Sequence, residues 1–489
     1  TTALILYNQS KYYSPSLQYY VPNAYQGLVG RLTYEYASRY LAEFNMGYNG
    51  TENFAKGKRF GFFPAVSLGW VISEEKFFPK NNIVKYLKVR GSYGEVGNDQ
   101  IGGDRFLYLP SSYGAASDSG VNKYNFGLAS NPYTSLMIVE NKIGNPDLTW
   151  EKAKKMNVGV DINLFNNCLT ASFDIFKEKR NNILANRSTS PMIIGANLPA
   201  YNFGEMENRG WEMDLNFRHH IQDFHYWARF NYSFARNEII YMDEVQKRYD
   251  YQMTTGRRKN QFFGLIFDGY YNSWEEINAL DRPKSSWSGN QLQPGDVKYV
   301  DVNQDGVIDD YDMVPIGYTP VPEIIYGFSF GAQYKGFDFS ILFQGADNVS
   351  IKYFGRSMWP FAKGEESAKS LIKERWTQER YEAGEKITFP RLSLNPNGET
   401  DHNYRPSTLW IRDASYLRLK NLEVGYTFTG GFVKRLNLNS VRLYFNGSNL
   451  FTWTDVVDLD PEAPSRSGNV EINTYPLQKV YNIGLNINF

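Results

Sequence analysis

The carboxy-terminal segment Tyr481-Asn482-Ile483-Gly484-Leu485-Asn486-Ile487-Asn488-Phe489 alternates apolar and polar residues without interruption and ends on an aromatic ring. Strand side chains repeat every two residues. Tyr481, Ile483, Leu485, Ile487 and Phe489 therefore share one face, and Asn482, Gly484, Asn486 and Asn488 the other. One face suits lipid and the other a wet lumen, as in a strand that closes an outer-membrane barrel. A half-buried strand of a soluble sheet has the same periodicity. A chain crosses a bilayer only as helices or as a closed barrel. No stretch here approaches the roughly 18 consecutive apolar residues of a spanning helix.

Composition bears on the choice. Tyr (37), Phe (33) and Trp (10) make up 16% of the 489 residues, an abundance that suits aromatic girdles at two lipid–water interfaces. Lys+Arg and Asp+Glu balance at 52 each. With no basic block to displace phosphate counterions, a nucleic-acid partner is not expected. Cys168 is the only cysteine, which excludes an intrachain disulfide and a cysteine metal cluster. The opening Thr1-Thr2-Ala3-Leu4-Ile5-Leu6-Tyr7 has no charged leader, long apolar core or cleavage site. The expectation is that a signal has been removed or that the chain begins within a longer protein.

Alternation recurs at Leu28 to Tyr36, Ala42 to Tyr48, Phe62 to Trp70, Leu87 to Tyr93, Met156 to Leu164, Leu169 to Ile175, Trp211 to Phe217 and Tyr226 to Phe234. It returns at Tyr326 to Tyr334, Phe337 to Phe343, Leu417 to Phe428, Leu443 to Phe451 and the terminal segment. With a short opening strand this predicts about fourteen strands, an even number as antiparallel bacterial barrels require. The links alternate short and long. Short ones include Ala37 to Tyr40, Phe165 to Cys168, His219 to Phe224, Lys335-Gly336 and Thr429 to Ser440; the longest are 238–323 and 346–413. Short periplasmic turns opposite long external loops give this parity, and a soluble sandwich has no reason to obey it. The whole chain, 1–489, reads as one barrel portion.

Asp301-Val302-Asn303-Gln304-Asp305-Gly306-Val307-Ile308-Asp309-Asp310-Tyr311-Asp312 matches a calcium loop. Asp301, Asn303 and Asp305 supply oxygens at positions 1, 3 and 5, and Gly306 makes the turn at 6. Val307 offers its carbonyl at 7, with Asp309 and Asp312 at 9 and 12. Asp312 replaces the usual Glu, so a weak structural Ca2+ site in the longest external loop is expected. The alternative is an Asx-rich turn without metal. Gly327-Phe328-Ser329-Phe330-Gly331 fits a nucleophile elbow in letters only, because it lies inside an alternating strand, and no catalysis is expected. His219, His220 and His225 cluster at a short turn, where solvation is the plainer reading than metal binding. His402 stands alone. Glu365 to Arg380, with Ala368, Leu371, Ile372 and Trp376 at helical spacing, predicts a short amphipathic helix. Tyr113, Tyr124, Trp274, Trp287, Tyr353 and Trp359 are external aromatics able to stack on sugar rings or apolar ligand groups, though most are expected to form loop core.

Several segments together resemble the SusC/RagA family of TonB-dependent outer-membrane transporters of Bacteroidetes. They are Phe63-Pro64-Ala65-Val66-Ser67-Leu68-Gly69-Trp70, Arg90-Gly91-Ser92-Tyr93-Gly94, Asn145-Pro146-Asp147-Leu148-Thr149-Trp150-Glu151 and Asn208-Arg209-Gly210-Trp211-Glu212. Gly295-Asp296-Val297-Lys298-Tyr299, Arg375-Trp376-Thr377, Leu409 to Lys420 and Asn446 to Thr452 complete the set. The resemblance implies a barrel of about 22 strands around an amino-terminal plug. On that basis this chain is the carboxy-terminal part, lacking the plug and the first strands. It also implies coupling to TonB through the plug, a SusD-like surface lipoprotein as partner and an oligosaccharide or oligopeptide ligand. The terminal aromatic Phe489 and its strand would belong to the barrel-insertion signal. A non-transporting adhesin or scaffold and a soluble carbohydrate-binding β-protein are the competing readings.

Overall fold

The computed structural model describes the chain except residues 14–21, 101–105, 110–111, 116–122, 129, 190–197, 288–291, 354–358, 362–369, 394–401 and 463–476. Its centre is a 14-stranded antiparallel sheet in which each strand pairs with its neighbours in chain order. The strands are β1 (Thr2–Tyr12), β2 (Asn23–Tyr36), β3 (Tyr40–Thr51), β4 (Phe60–Val71), β5 (Val84–Asn98), β6 (Glu151–Leu164) and β7 (Leu169–Ala185). They continue as β8 (Tyr201–Ile221), β9 (Phe224–Tyr241), β10 (Ile324–Tyr334), β11 (Phe337–Asp347), β12 (Tyr416–Phe428), β13 (Ser440–Thr454) and β14 (Val480–Asn488). The expected number of strands is the observed one. β14 pairs with β13 from Ser440↔Asn488 to Ser448↔Val480. Among the described residues no ladder joins β14 to β1, so the sheet has two edges.

Alternation and register together give the sheet two different faces. On one, Phe224, Tyr334, Phe337, Tyr426, Leu443 and Leu485 are successive cross-strand partners from β9 to β14. All six are exposed. A second row runs Tyr40, Trp70, Val89, Val160, Phe173 and Met213 across β3 to β8. Apolar exposure across a whole sheet face exceeds the few-hundred-Å² patches of soluble monomers and requires a lipid solvent. The opposite face holds Arg31, Glu43, Arg90, Asp161, Asp174, Asp338 and Arg442 in ion pairs.

The turns follow from local chemistry. Lys335 (φ 44) and Gly336 (φ 88) form the two-residue hairpin between β10 and β11, in which both central residues need positive φ. A Cβ at Gly336 would stand 2.6 Å from the Thr427 carbonyl oxygen. The two- to four-residue links all lie at one rim, and the two longest loops, 242–323 and 348–415, lie at the other. The link between β12 and β13 contains a helical turn, α1 (Gly431–Arg435).

Two expectations are corrected. The wall strands run past the predicted ends: β8 has 21 residues, twice the roughly 9–11 that cross a bilayer. The predicted helix from Glu365 to Arg380 does not run through its described part, 370–380. Residues 362–369 lie outside the described part, Ser370–Glu374 is a 3₁₀ turn, and α2 (Gln378–Glu382) starts only after Thr377. The Thr377 side chain accepts the Arg380 N–H and caps α2, so the helix begins where a cap is available. Arg375, bridged to Phe389, is extended.

Candidate ligand site at the long-loop rim

The two longest loops, 242–323 between β9 and β10 and 348–415 between β11 and β12, pack into a cap with a core of its own. Leu265, Val297, Tyr299 and Ile308 from the first loop meet Tyr353, Trp359, Trp376, Phe389, Tyr404 and Trp410 from the second. Val456, which follows β13, joins them. Tyr404 lies between Trp359 and Trp410, tilted against each at 5.3 Å between ring centres. Phe389 meets Trp410 edge-on at 5.4 Å. Short ladders hold the backbone: Phe267–Tyr270 with Val297–Tyr299, and Ser350–Lys352 with Ile411–Asp413.

Buried polar groups fix the register of the two loops. Asp296 accepts the Arg391 Nε–H at 2.6 Å, the Asn403 amide at 2.8 Å and the Gln293 backbone N–H at 2.8 Å. Asn403 accepts the Val297 N–H. His402 Nε2 donates to the Val297 carbonyl at 2.7 Å, while Nδ1 meets the Ser285 hydroxyl at 2.9 Å. His402, isolated in sequence, is thus a clamp between loops more than a hundred positions apart. Sequence reading missed this node. Its only local trace is the Gly295-Asp296-Val297 turn, where Gly295 takes φ 92.

The predicted aromatics divide. Tyr353 and Trp359 are buried in the cap core, and the Tyr353 hydroxyl donates to the Val457 carbonyl at 3.0 Å. Trp287 packs against that core beneath the Arg405 guanidinium, 4.0 Å from its ring. These three rings are committed to packing. Trp274, at the start of the turn Trp274–Asn278, and Tyr124, beside Phe126 at 4.7 Å, are exposed and free to stack. Tyr113 lies in the short strand Ser112–Ala115, and its side chain falls outside the described residues.

The calcium-like loop sits on the cap through Val307–Ile308, which pairs with Lys284–Ser285. Gly306 takes φ 82. Asp301 accepts the N–H groups of Gln304 and Gly306 at 2.7 and 2.8 Å, Asn303 that of Asp305, and Asp305 that of Val307. Asp309 accepts from Tyr311. Asp312, completely buried, accepts from Val302, Asn303 and Asp309. Burial, reinforced by the Asp301 charge, pushes its carboxyl above the usual range despite those donors. The donor types fit a hard cation. Among the described residues, no three acidic, His or Cys side chains are gathered at one metal position.

The polar wall face continues below the cap. Arg90 is forked between Asp174 at 2.7 Å and Asp161 at 3.1 Å, with Ser172 alongside. It borders a hollow of about 470 Å³ lined by Thr33, Glu43, Ser67 and Lys88. Arg442 pairs with Asp338 and with Glu423 at 2.6 Å. At the junction with the cap, Glu323 receives Arg236 and Arg258. Burial alone would raise the Glu323 carboxyl, but the two guanidiniums more than offset it and hold it below the usual range. Ser329 lies within β10 opposite Arg229 and Leu342, away from any turn. His220 and His225 face each other across the β8–β9 hairpin, whereas His219 lies beside Tyr226.

A family model described as TonB dependent receptor-like, beta-barrel matches residues 5–450. The chain belongs to that family. TonB-dependent receptor SusC of Bacteroides thetaiotaomicron is 28% identical over 477 residues, covering 96% of this chain and 44% of the relative. TonB-dependent receptor P3 of Formosa agariphila is 28% identical over 479 residues, covering 94% and 45%. The RagAB peptide importer in its open-open state shares the fold at a TM-score of 0.72 and 23% identity, over 96% of this chain and 47% of that one. This TonB-dependent receptor segment is similar to SusC and to the RagAB importer, and its apolar face lies in an outer membrane. The chain spans about half the length of the curated relatives it matches.

Proposed function

We propose that this segment forms part of the wall and the external cap of an energy-coupled outer-membrane importer that takes up oligosaccharide fragments. The observation that carries this reading is the family match along a sheet whose two longest loops build one cap above a polar lumen face. In this proposal a SusD-like lipoprotein covers the cap, ligand is held between the two, and TonB, drawing on the proton-motive force, displaces a plug inside the wall. The exposed rings of Trp274 and Tyr124 present flat apolar faces of the kind sugars stack on. No bond is made or broken by these residues. Oligopeptide is the second cargo class, favoured by the likeness to the RagAB peptide importer.

Deletion of the complete gene is expected to abolish uptake of one class of oligosaccharide, measured as residual labelled glycan in the medium, and complementation to restore it. Loss of peptide uptake alone would move the assignment to the second class. An unchanged import profile for both would leave a surface adhesin or scaffold.

We further propose that Asp301, Asn303, Asp305, the Val307 carbonyl, Asp309 and Asp312 hold a structural calcium ion. Asp312 is a fully buried carboxylate that meets backbone N–H groups and the Asp301 charge but no cation among the described residues, and a divalent ion would supply the missing countercharge. An affinity on the order of 10⁻⁴ to 10⁻³ M, suited to the extracellular medium, is expected. Isothermal titration of the wild type against the double variant Asp301→Ala with Asp305→Ala tests it. Identical heats from the two proteins would remove the site.

A further inference from the structure

Above its apolar band, the lipid side of β7, β8 and β9 carries a row of like charges. Lys177, Arg209 and Arg236 are direct cross-strand partners. Like charges placed directly opposite one another destabilise a sheet. Two positions closer to the short-turn rim, on the same face, the partners are Ile175, Trp211 and Phe234. The Trp211 ring stacks on Tyr232 at 4.7 Å, and the Arg236 guanidinium lies 5.5 Å from the Phe234 ring. The side chains thus change from aromatic to cationic within one strand repeat, toward the long-loop rim.

Neighbouring carboxylates balance the row incompletely. Lys177 reaches diagonally to Glu207 at 2.9 Å, and Arg236 is forked onto Glu323. Arg209, between them, is exposed and has no ion pair or hydrogen bond among the described residues. In the next row out, Lys154 and Lys179 are again direct partners. An aromatic belt marks the depth of lipid headgroups, so the cations stand where the headgroups of the outer leaflet lie.

We propose that Lys177 and Arg209 bind the phosphate of a phosphorylated outer-leaflet glycolipid, with Arg209 as its anchor, beside Arg236, whose guanidinium is held by Glu323. A planar guanidinium can grip phosphate oxygens in pairs. The acyl chains of the same lipid cover the Ile175, Trp211 and Phe234 row. Charge complementarity above and apolar continuity below select one amphiphile with both parts. The inference rests on the outer-membrane placement of the wall and is independent of the cargo.

The complete protein, purified in neutral detergent, is offered phosphorylated lipid A or the same lipid A enzymatically stripped of phosphate, and retained lipid is counted by native mass spectrometry. Preferential retention of the phosphorylated form is expected. Arg209→Gln should lower it roughly fivefold, the effect of one cation at an anionic surface, with Arg209→Lys in between. Lys335→Gln, at the opposite rim, should leave it unchanged. Heat-modifiable migration checks that each variant retains a folded barrel, so that failure of the barrel reading is separable from failure of the lipid site. Equal retention of the two lipids, or no change with Arg209→Gln, would overturn the proposal. Displacement of bound lipid by a soluble acidic protein would instead mark the row as a protein-docking surface, which also overturns it.

Discussion

Asp296→Ala is expected to unfold the cap while the wall stays intact. Asp296 accepts Arg391 at 2.6 Å, Asn403 at 2.8 Å and the Gln293 N–H at 2.8 Å, and it is buried. Alanine leaves a guanidinium and an amide without their acceptor in a desolvated site, a loss of about 3–5 kcal/mol for breaking a buried pair from one side. The cap core depends on two loops meeting in one register, and Asn403 also holds Val297 through its side-chain oxygen. The sheet does not depend on this node, because its ladders pair wall strands only with one another. Limited proteolysis should therefore cut within 242–323 and 348–415, and the near-ultraviolet signal of the buried Trp376 and Trp410 should weaken, with heat-modifiable migration preserved. Asp296→Asn, which keeps an acceptor oxygen but not the charge, should fall between. A cap as protease-resistant as the wild type would show that the aromatic core alone holds the loops together.

The wall was legible in the sequence and the cap was not, for a physical reason. A membrane strand must present lipid with apolar groups at every second position, so Phe337 to Phe343 or Leu443 to Phe451 shows its face locally. Where β7, β8 and β9 leave the lipid, alternation becomes polar against polar. Lys177 and Arg209 carry no periodic apolar signal, and the predicted strands stopped at Ile175 and began again at Trp211, although the ladder continues to Ala185 and from Tyr201. Loop parity placed 238–323 and 346–413 at one rim because link length is itself a local quantity. The cap's interior is set by pairs such as Asp296 with Asn403, whose relation no spacing rule encodes. Local spacing also misled at Glu365 to Arg380. Ala368, Leu371, Ile372 and Trp376 fit a helical stripe, yet Trp376 is buried by its place in the cap core, and the chain is extended at Arg375. The aromatics read as possible ligand contacts had the same ambiguity. Tyr353 and Trp359 are core, whereas Trp274 is exposed, and composition alone does not separate them.

Arg418→Leu is expected to release the last long loop from the wall. Arg418 is only 2% exposed and pairs with Asp460 at 2.7 Å and Glu462 at 3.2 Å. The Tyr416 hydroxyl donates to Glu462 at 2.6 Å, and the Leu477 N–H reaches Asp460 at 3.1 Å. One guanidinium on β12 thereby fixes both ends of the described part of the loop between β13 and β14. Leucine keeps much of the bulk but leaves Asp460 and Glu462 with one cation between them, Lys420 at 3.6 Å from Glu462, a destabilisation of about 3–5 kcal/mol for breaking a buried pair from one side. It should appear as a lower midpoint in urea-dependent loss of heat-modifiable migration and as faster hydrogen exchange at Leu477. If uncompensated charge is the cause, adding Asp460→Asn to Arg418→Leu should recover much of the stability, because Lys420 then balances Glu462. A double variant no more stable than the single one would instead assign the loss to the shape of the Arg418 side chain. The outcome bears on how wall and cap are joined, since this tie connects the polar face of a wall strand to a loop that contributes Val456 to the cap core.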